Sequence, residues 1–165
     1  MSIASQTLPE LELEMAGTRK TLSRLPDDLK DWRPHPKSMT MMGLATHITN
    51  MLGWGLMTLR TEAFDIDPQA GDQNQAASST EELLQKFDAS LAEFRAELAG
   101  ASDEALMTPW TLTVSGAVVF TMPRIAVLKG MIFNHIIHHR GQLTVYFRIN
   151  DVPVPALYGP SADEN

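Results

Sequence analysis

The chain has 165 residues, enough to bury a core as one domain without staples, and 44% of them are hydrophobic, as in soluble globular proteins. A net charge of -7 with no local run of Lys and Arg speaks against a grip on nucleic-acid backbones, and the absence of cysteine excludes disulfides, thiolate ligands and a cysteine nucleophile. No apolar run nears the roughly 20 residues that span a bilayer, and no basic-then-apolar leader opens the chain, so the expectation is a cytoplasmic protein of one domain, residues 1–165, with neither membrane nor nucleic acid as partner.

The first predicted element is a helix from about Thr7 to Leu25. Leu8, Leu11, Met15, Leu22 and Leu25 recur at helical steps with Thr18 filling the gap, and Pro26 stops it. A connector from Asp27 to Lys37 holds Trp32-Arg33-Pro34-His35-Pro36, which excludes regular helix. Ser38 is the candidate cap of a second helix, Met39 to about Phe64, with Leu44, His47, Met51 and Trp54 on one face. Gly43, Gly53 and Gly55 lower its propensity by roughly 1 kcal/mol each, which close packing against a neighbouring helix would offset.

Asp65 to Ser78, with Pro68 and Gly71, reads as a mobile polar loop. Ser79 and Glu82 form a capping-box pattern for a third helix whose stripe is Leu84, Phe87, Leu91, Phe94 and Leu98, ended by Gly100. Between Trp110 and Met122 the residues favour β structure and Ser115-Gly116 interrupts them, so a short hairpin or extended connector is expected. Pro123 suits the first turn of a last helix running to about Ile149, with Leu128, Ile132, His135, His139, Gln142 and Tyr146 on one side. The tail 151–165 is rich in Pro and Gly and reads as irregular. The predicted fold class is all-α: a four-helix bundle with a small β-like insertion before the last long helix.

Three of the five histidines fall in Asn134-His135-Ile136-Ile137-His138-His139-Arg140-Gly141-Gln142. His135 and His139 stack one turn apart on the face expected to be buried, where two imidazoles without partners are costly. A shared metal satisfies one nitrogen of each, and His47 on the apolar face of the second helix is the third candidate ligand. Three imidazoles favour Zn²⁺, Ni²⁺, Cu²⁺ or Fe²⁺ over Mg²⁺ or Ca²⁺, and three protein ligands leave a coordination position open, as in catalytic sites. Gln142, Asn50 and His138 are candidates to orient those ligands or a substrate. Arg140 points elsewhere and reads as a salt bridge between helices or at an interface, while His35 reads as a structural residue of the connector. Trp32, Trp54 and Trp110 read as core or pocket-wall aromatics.

These motifs resemble the DinB family across nearly the whole chain: Trp32 to Ser38 leading into the helix of His47, Asn134 to Leu143, and the tail Val152-Pro153-Val154-Pro155 with Tyr158 to Glu164. The resemblance implies a four-helix bundle of up-down-down-up connection, often a homodimer. It also implies a divalent metal, nickel or zinc, on three histidines, which by motif are His47, His135 and His139. Relatives of known activity use low-molecular-weight thiols, as in bacillithiol S-transferases and a mycothiol-dependent maleylpyruvate isomerase. The expected function is thus a metal-dependent enzyme that transfers a small thiol to an electrophilic small-molecule substrate. The alternatives are a metal-dependent hydrolase and a non-enzymatic metal-binding stress-response or interaction protein.

Overall fold

The computed structural model describes residues 1–69 and 75–165. The expected loop over 65–78 falls partly on residues 70–74, and that part, with Gly71, lies outside the described residues.

Helix α1 spans Ile3–Leu22, earlier than the expected Thr7 start, because the Ser2 hydroxyl accepts the Ser5 N–H and caps it there. Its buried face includes Leu11, Met15, Thr18 and Leu22, and Leu25 packs into the core from the turn beyond. Helix α2 spans Met41–Arg60. Its cap is Thr40, whose Oγ1 accepts the Gly43 N–H at 3.0 Å; the expected cap, Ser38, instead closes a turn on the His35 carbonyl. The expectation that α2 reaches Phe64 is also corrected, since the chain turns extended at Thr61 and strand β1 occupies Ala63–Ile66. Of the three glycines in α2, only Gly55 meets a neighbouring helix: a Cβ there would lie 3.0 Å from the Phe94 ring.

Helix α3 spans Thr80–Gly100, with Ser79 Oγ accepting the Glu82 N–H. The Glu82 carboxylate reaches back to the N–H of Ser78, one residue beyond the cap residue whose N–H a capping box engages. Leu83, Phe87, Phe94 and Leu98 are buried, with Leu84 and Leu91 packed beside them. The short helix α4 (Asp103–Met107), not expected from periodicity, precedes strands β2 (Pro109–Val114) and β3 (Ala117–Pro123).

The expected hairpin is present. Ser115 and Gly116 both take positive φ, at 50° and 78°, as a two-residue turn matched to strand twist requires. Strand β1 adds to it in parallel, pairing Ala63 with Thr111 and Ile66 with Val114, so the sheet order is β1-β2-β3. Asp65 Oδ1 secures this addition by accepting the Thr113 hydroxyl at 2.6 Å and the Gly116 N–H at 3.0 Å.

Pro123 ends β3 and takes the cap position; helix starts at Arg124. The last helical rod is not uniform. It runs as α5 (Arg124–Val127), a π-helical segment (Leu128–Phe133) and α6 (Asn134–Ile149). Arg124 ties the rod to the end of α2 by donating to the carbonyls of Thr58 and Thr61, and to α4 by donating to the carbonyl of Ala105.

The protein is mostly helical with a small three-stranded sheet, so the expectation of an all-α bundle is met in part. Helix α1 packs on α3 and α6, and α2 packs on the same two. Their inner faces share one apolar cluster, and Trp110, Leu112 and Val127 form a second, smaller one under the sheet. The tail is irregular, as expected, yet ion pairs hold it: Glu164 to Lys20 and Arg24, and Asp163 to Arg148. Among the described residues, no helix is long and apolar enough to cross a membrane.

Candidate metal centre

Packing of α2 against α6 brings His47 to the pair on α6. The Nε2 atoms of His47 and His135 lie 3.2 Å apart, and those of His135 and His139 lie 2.8 Å apart. All three residues offer ring nitrogens within 4.8 Å of one another. Two nitrogens that each bind one zinc ion at about 2.0–2.1 Å can be no more than about 4.2 Å apart, so both measured separations fit a shared ion.

Burial differs from expectation. The three rings are half-buried, not part of the core. The fully covered face of α6 is Ile136, Arg140, Leu143 and Phe147. His135 and His139 lie on its flank, one helical step of about 100° from that face, where they pack on α2 and remain reachable from outside.

Gln142 sits one turn along α6, and its Oε1 lies 2.7 Å from His139 Nδ1. An amide oxygen can only accept, so Nδ1 carries the proton and Nε2 of neutral His139 presents its lone pair to the cluster. Burial holds the His139 pKa below its ordinary value; the Gln142 bond opposes this, and nearby His135 and His138 reinforce it. His138 is exposed and sets its ring edge-on to His139, with centroids 4.9 Å apart. Asn50 lies half-buried on α2, three residues beyond His47. His35 is exposed in the connector, where its Nδ1 accepts the Lys37 N–H at 3.1 Å.

The donor set suits a transition metal. A proton can bridge two of the converging Nε2 atoms, whereas one cation takes a lone pair from all three. With imidazole alone and no carboxylate in the group, a borderline ion such as Zn²⁺ or Ni²⁺ fits and a hard ion such as Mg²⁺ does not. Among the described residues, this is the only cluster of three or more potential ligands that could hold a metal ion.

Arg140, adjacent to His139, turns to the opposite side. Its guanidinium donates to the Glu14 carboxylate at 2.7 Å, to the Glu14 carbonyl at 2.8 Å and to Thr18 Oγ1 at 3.1 Å, all on α1. Tyr158 from the tail bonds both Arg140 and Glu14. The salt bridge between helices expected for Arg140 is thus present, and it is buried, with side-chain exposures of 3% and 9%.

A cavity of about 290 Å³ adjoins the triad, with His47 and His135 in its wall. Trp54 from α2, Trp110 and Phe120 from the sheet, and Met131 and Ile132 from the π-helical segment close the rest. Sequence reasoning left Trp54 and Trp110 as core or pocket-wall aromatics and missed Phe120, Leu112 and Met131. The available signal was the alternation that turns Trp110 and Leu112 inward along β2.

Comparison with known proteins agrees with this architecture. The sequence profile described as the DinB superfamily matches residues 10–143. The uncharacterized protein YrdA of Bacillus subtilis is 28% identical over 161 residues, covering 95% of this chain and 89% of that protein. The crystal structure of a DinB-like protein from Bacillus cereus superposes with a TM-score of 0.73 at 24% identity, covering 95% of this chain and 98% of that one. A DinB-like protein from Bacillus subtilis, YjoA, superposes with a TM-score of 0.71 at 19% identity, covering 92% and 96%. These two likenesses concern the fold, while the profile spans most of the sequence, and the chain belongs to the DinB superfamily.

Proposed function

We propose that this protein is a metal-dependent enzyme that transfers a low-molecular-weight thiol to an electrophilic small molecule. The observation that carries this reading is the cavity that shares His47 and His135 with the triad. A metal-storage or scaffold role needs no such space beside the ion, and an enzyme does. His47, His135 and His139 would hold the ion, with Gln142 fixing the His139 tautomer. A divalent nickel or zinc ion bound there supplies Lewis acidity that keeps a thiol in its thiolate form near neutral pH. The chain has no cysteine, so the sulfur nucleophile comes from a co-substrate. Trp54, Trp110 and Phe120 shield the acceptor from water while the triad side stays accessible. On this reading the protein acts as a homodimer, as the family resemblance implies, and as the cytoplasmic, single-domain protein that its length and composition lead us to expect.

The test is chelation and reconstitution. Protein stripped of metal should lose conjugation between a panel of thiols and electrophiles and regain it with nickel or zinc, and His139→Ala should stay inactive. Full activity after complete chelation would refute the reading. Turnover that needs metal but no added thiol would move the assignment to hydrolysis.

A further inference from the structure

The cavity beside the triad carries information about what enters it. Among its described lining residues there is no Asp, Glu, Lys or Arg. Its polar side chains are few and largely engaged: the Trp110 indole N–H donates to Thr61 Oγ1 at 3.1 Å, and the Thr58 hydroxyl donates to the Trp54 carbonyl at 2.9 Å. The ring nitrogens of His47 and His135 and the indole N–H of Trp54 are the remaining polar groups of the lining side chains. A charged group placed elsewhere in this space would lose its hydration without gaining a partner.

The space is also large for a protein interior, which normally packs as densely as an organic crystal. It lies where the main core meets the small cluster under the sheet, and Trp54 borders both. A pocket with walls this apolar favours apolar molecules over ions. Its walls present aromatic surface from Trp54, Trp110 and Phe120, to which another ring can stack or set its edge.

We propose that this cavity is the acceptor pocket, taking an uncharged apolar group of one or two aromatic rings with its reactive end toward His47 and His135. The proposal rests on the reading of the triad as the reaction centre. It also divides the site: the charged parts of a thiol co-substrate stay outside the cavity, on the accessible side where Gln142 is exposed.

Calorimetric titration of the full-length protein, metal-free and zinc-loaded, with 1-naphthol and with 1-naphthoate at neutral pH tests this. The probes share a ring system and differ in charge. Naphthol should bind at least tenfold more tightly than naphthoate to the metal-free protein, where no ion is present to ligate the carboxylate. Met131→Trp, at the exposed edge of the cavity, should weaken naphthol at least tenfold, with its melting curve showing that it is folded. Nuclear Overhauser contacts from naphthol to the Trp110 indole in the unaltered protein give the same answer without a substitution. Equal binding of the two probes to the metal-free protein, or naphthol binding without contacts to Trp110, would overturn the proposal. Selective naphthol binding without any metal-dependent conjugation would leave the pocket standing and remove the transferase reading. Conjugation restricted to acceptors charged on their rings would do the reverse.

Discussion

His139 and Arg140 are neighbours on one helix, and they end in opposite environments. His139 lies half-buried against α2, with its proton fixed by Gln142 and its lone pair turned to two other imidazoles. Arg140 is buried against α1, with the carboxylate and carbonyl of Glu14, the Thr18 hydroxyl and Tyr158 around it. The first region brings together nitrogen donors that could hold one cation. The second is a closed network in which the charges face each other. A helix separates such roles by a single residue step, because that step is a rotation of about 100°.

The comparison breaks most visibly at Arg140. Arg140→Ala leaves the Glu14 carboxylate buried without its cation, so stability should fall by about 3–5 kcal/mol in urea unfolding. Glu14→Gln removes the charge but keeps an oxygen acceptor, and its loss should be smaller. If Arg140→Ala unfolds at the same urea concentration as the unaltered chain, the network is not what joins α1 to α6.

On the other side of the helix the signature reverses. His139→Ala should weaken zinc or nickel binding by more than the roughly 10–100-fold that a supporting residue costs. Its effect on metal-free stability should stay near the ±0.5 kcal/mol typical of sites outside the core. Gln142→Ala should fall between, with metal affinity down by about 10–100-fold because the His139 tautomer is no longer held. Calorimetry with the metal and urea unfolding, run on the same preparations, separate these outcomes.

The smallest expected effect is on pH dependence. Burial lowers the His139 pKa below 6.5, so between that lowered value and 6.5 the unfolded chain binds more protons than the folded one. The contribution of His139 to metal-free stability is therefore present above about pH 6.5 and is lost as pH falls through the lowered pKa. Urea midpoints over about pH 5 to 8 should show the unaltered protein losing stability relative to His139→Ala as pH drops. A constant difference across that range would contradict the assignment.

Much of this was readable from local pattern. The stripe Phe87, Leu91, Phe94 and Leu98 and the Ser79 cap announced α3, and the four-residue spacing of His135 and His139 announced the pair. What escaped depends on partners distant in sequence or on one-residue irregularities. Strand β1 is four residues long and exists by pairing with β2, nearly fifty positions away. The π-helical segment keeps an apolar helical pattern, so its altered winding left no mark in the sequence, and its Met131 and Ile132 help form the cavity. Thr40 and Ser38 are equivalent as sequence signals; the turn that takes the Ser38 N–H to the His35 carbonyl decides between them. The cavity itself draws on α2, the sheet and the π-helical segment, so no single stretch of residues announces it.

The central claim is that three imidazoles from two helices share one cation. X-ray absorption at the metal edge, on protein loaded with one equivalent of zinc or nickel, tests it most directly. The account predicts a first shell containing three imidazole nitrogens, reduced in each of His47→Ala, His135→Ala and His139→Ala. A shell dominated by carboxylate oxygen, or one unchanged by those substitutions, would contradict it.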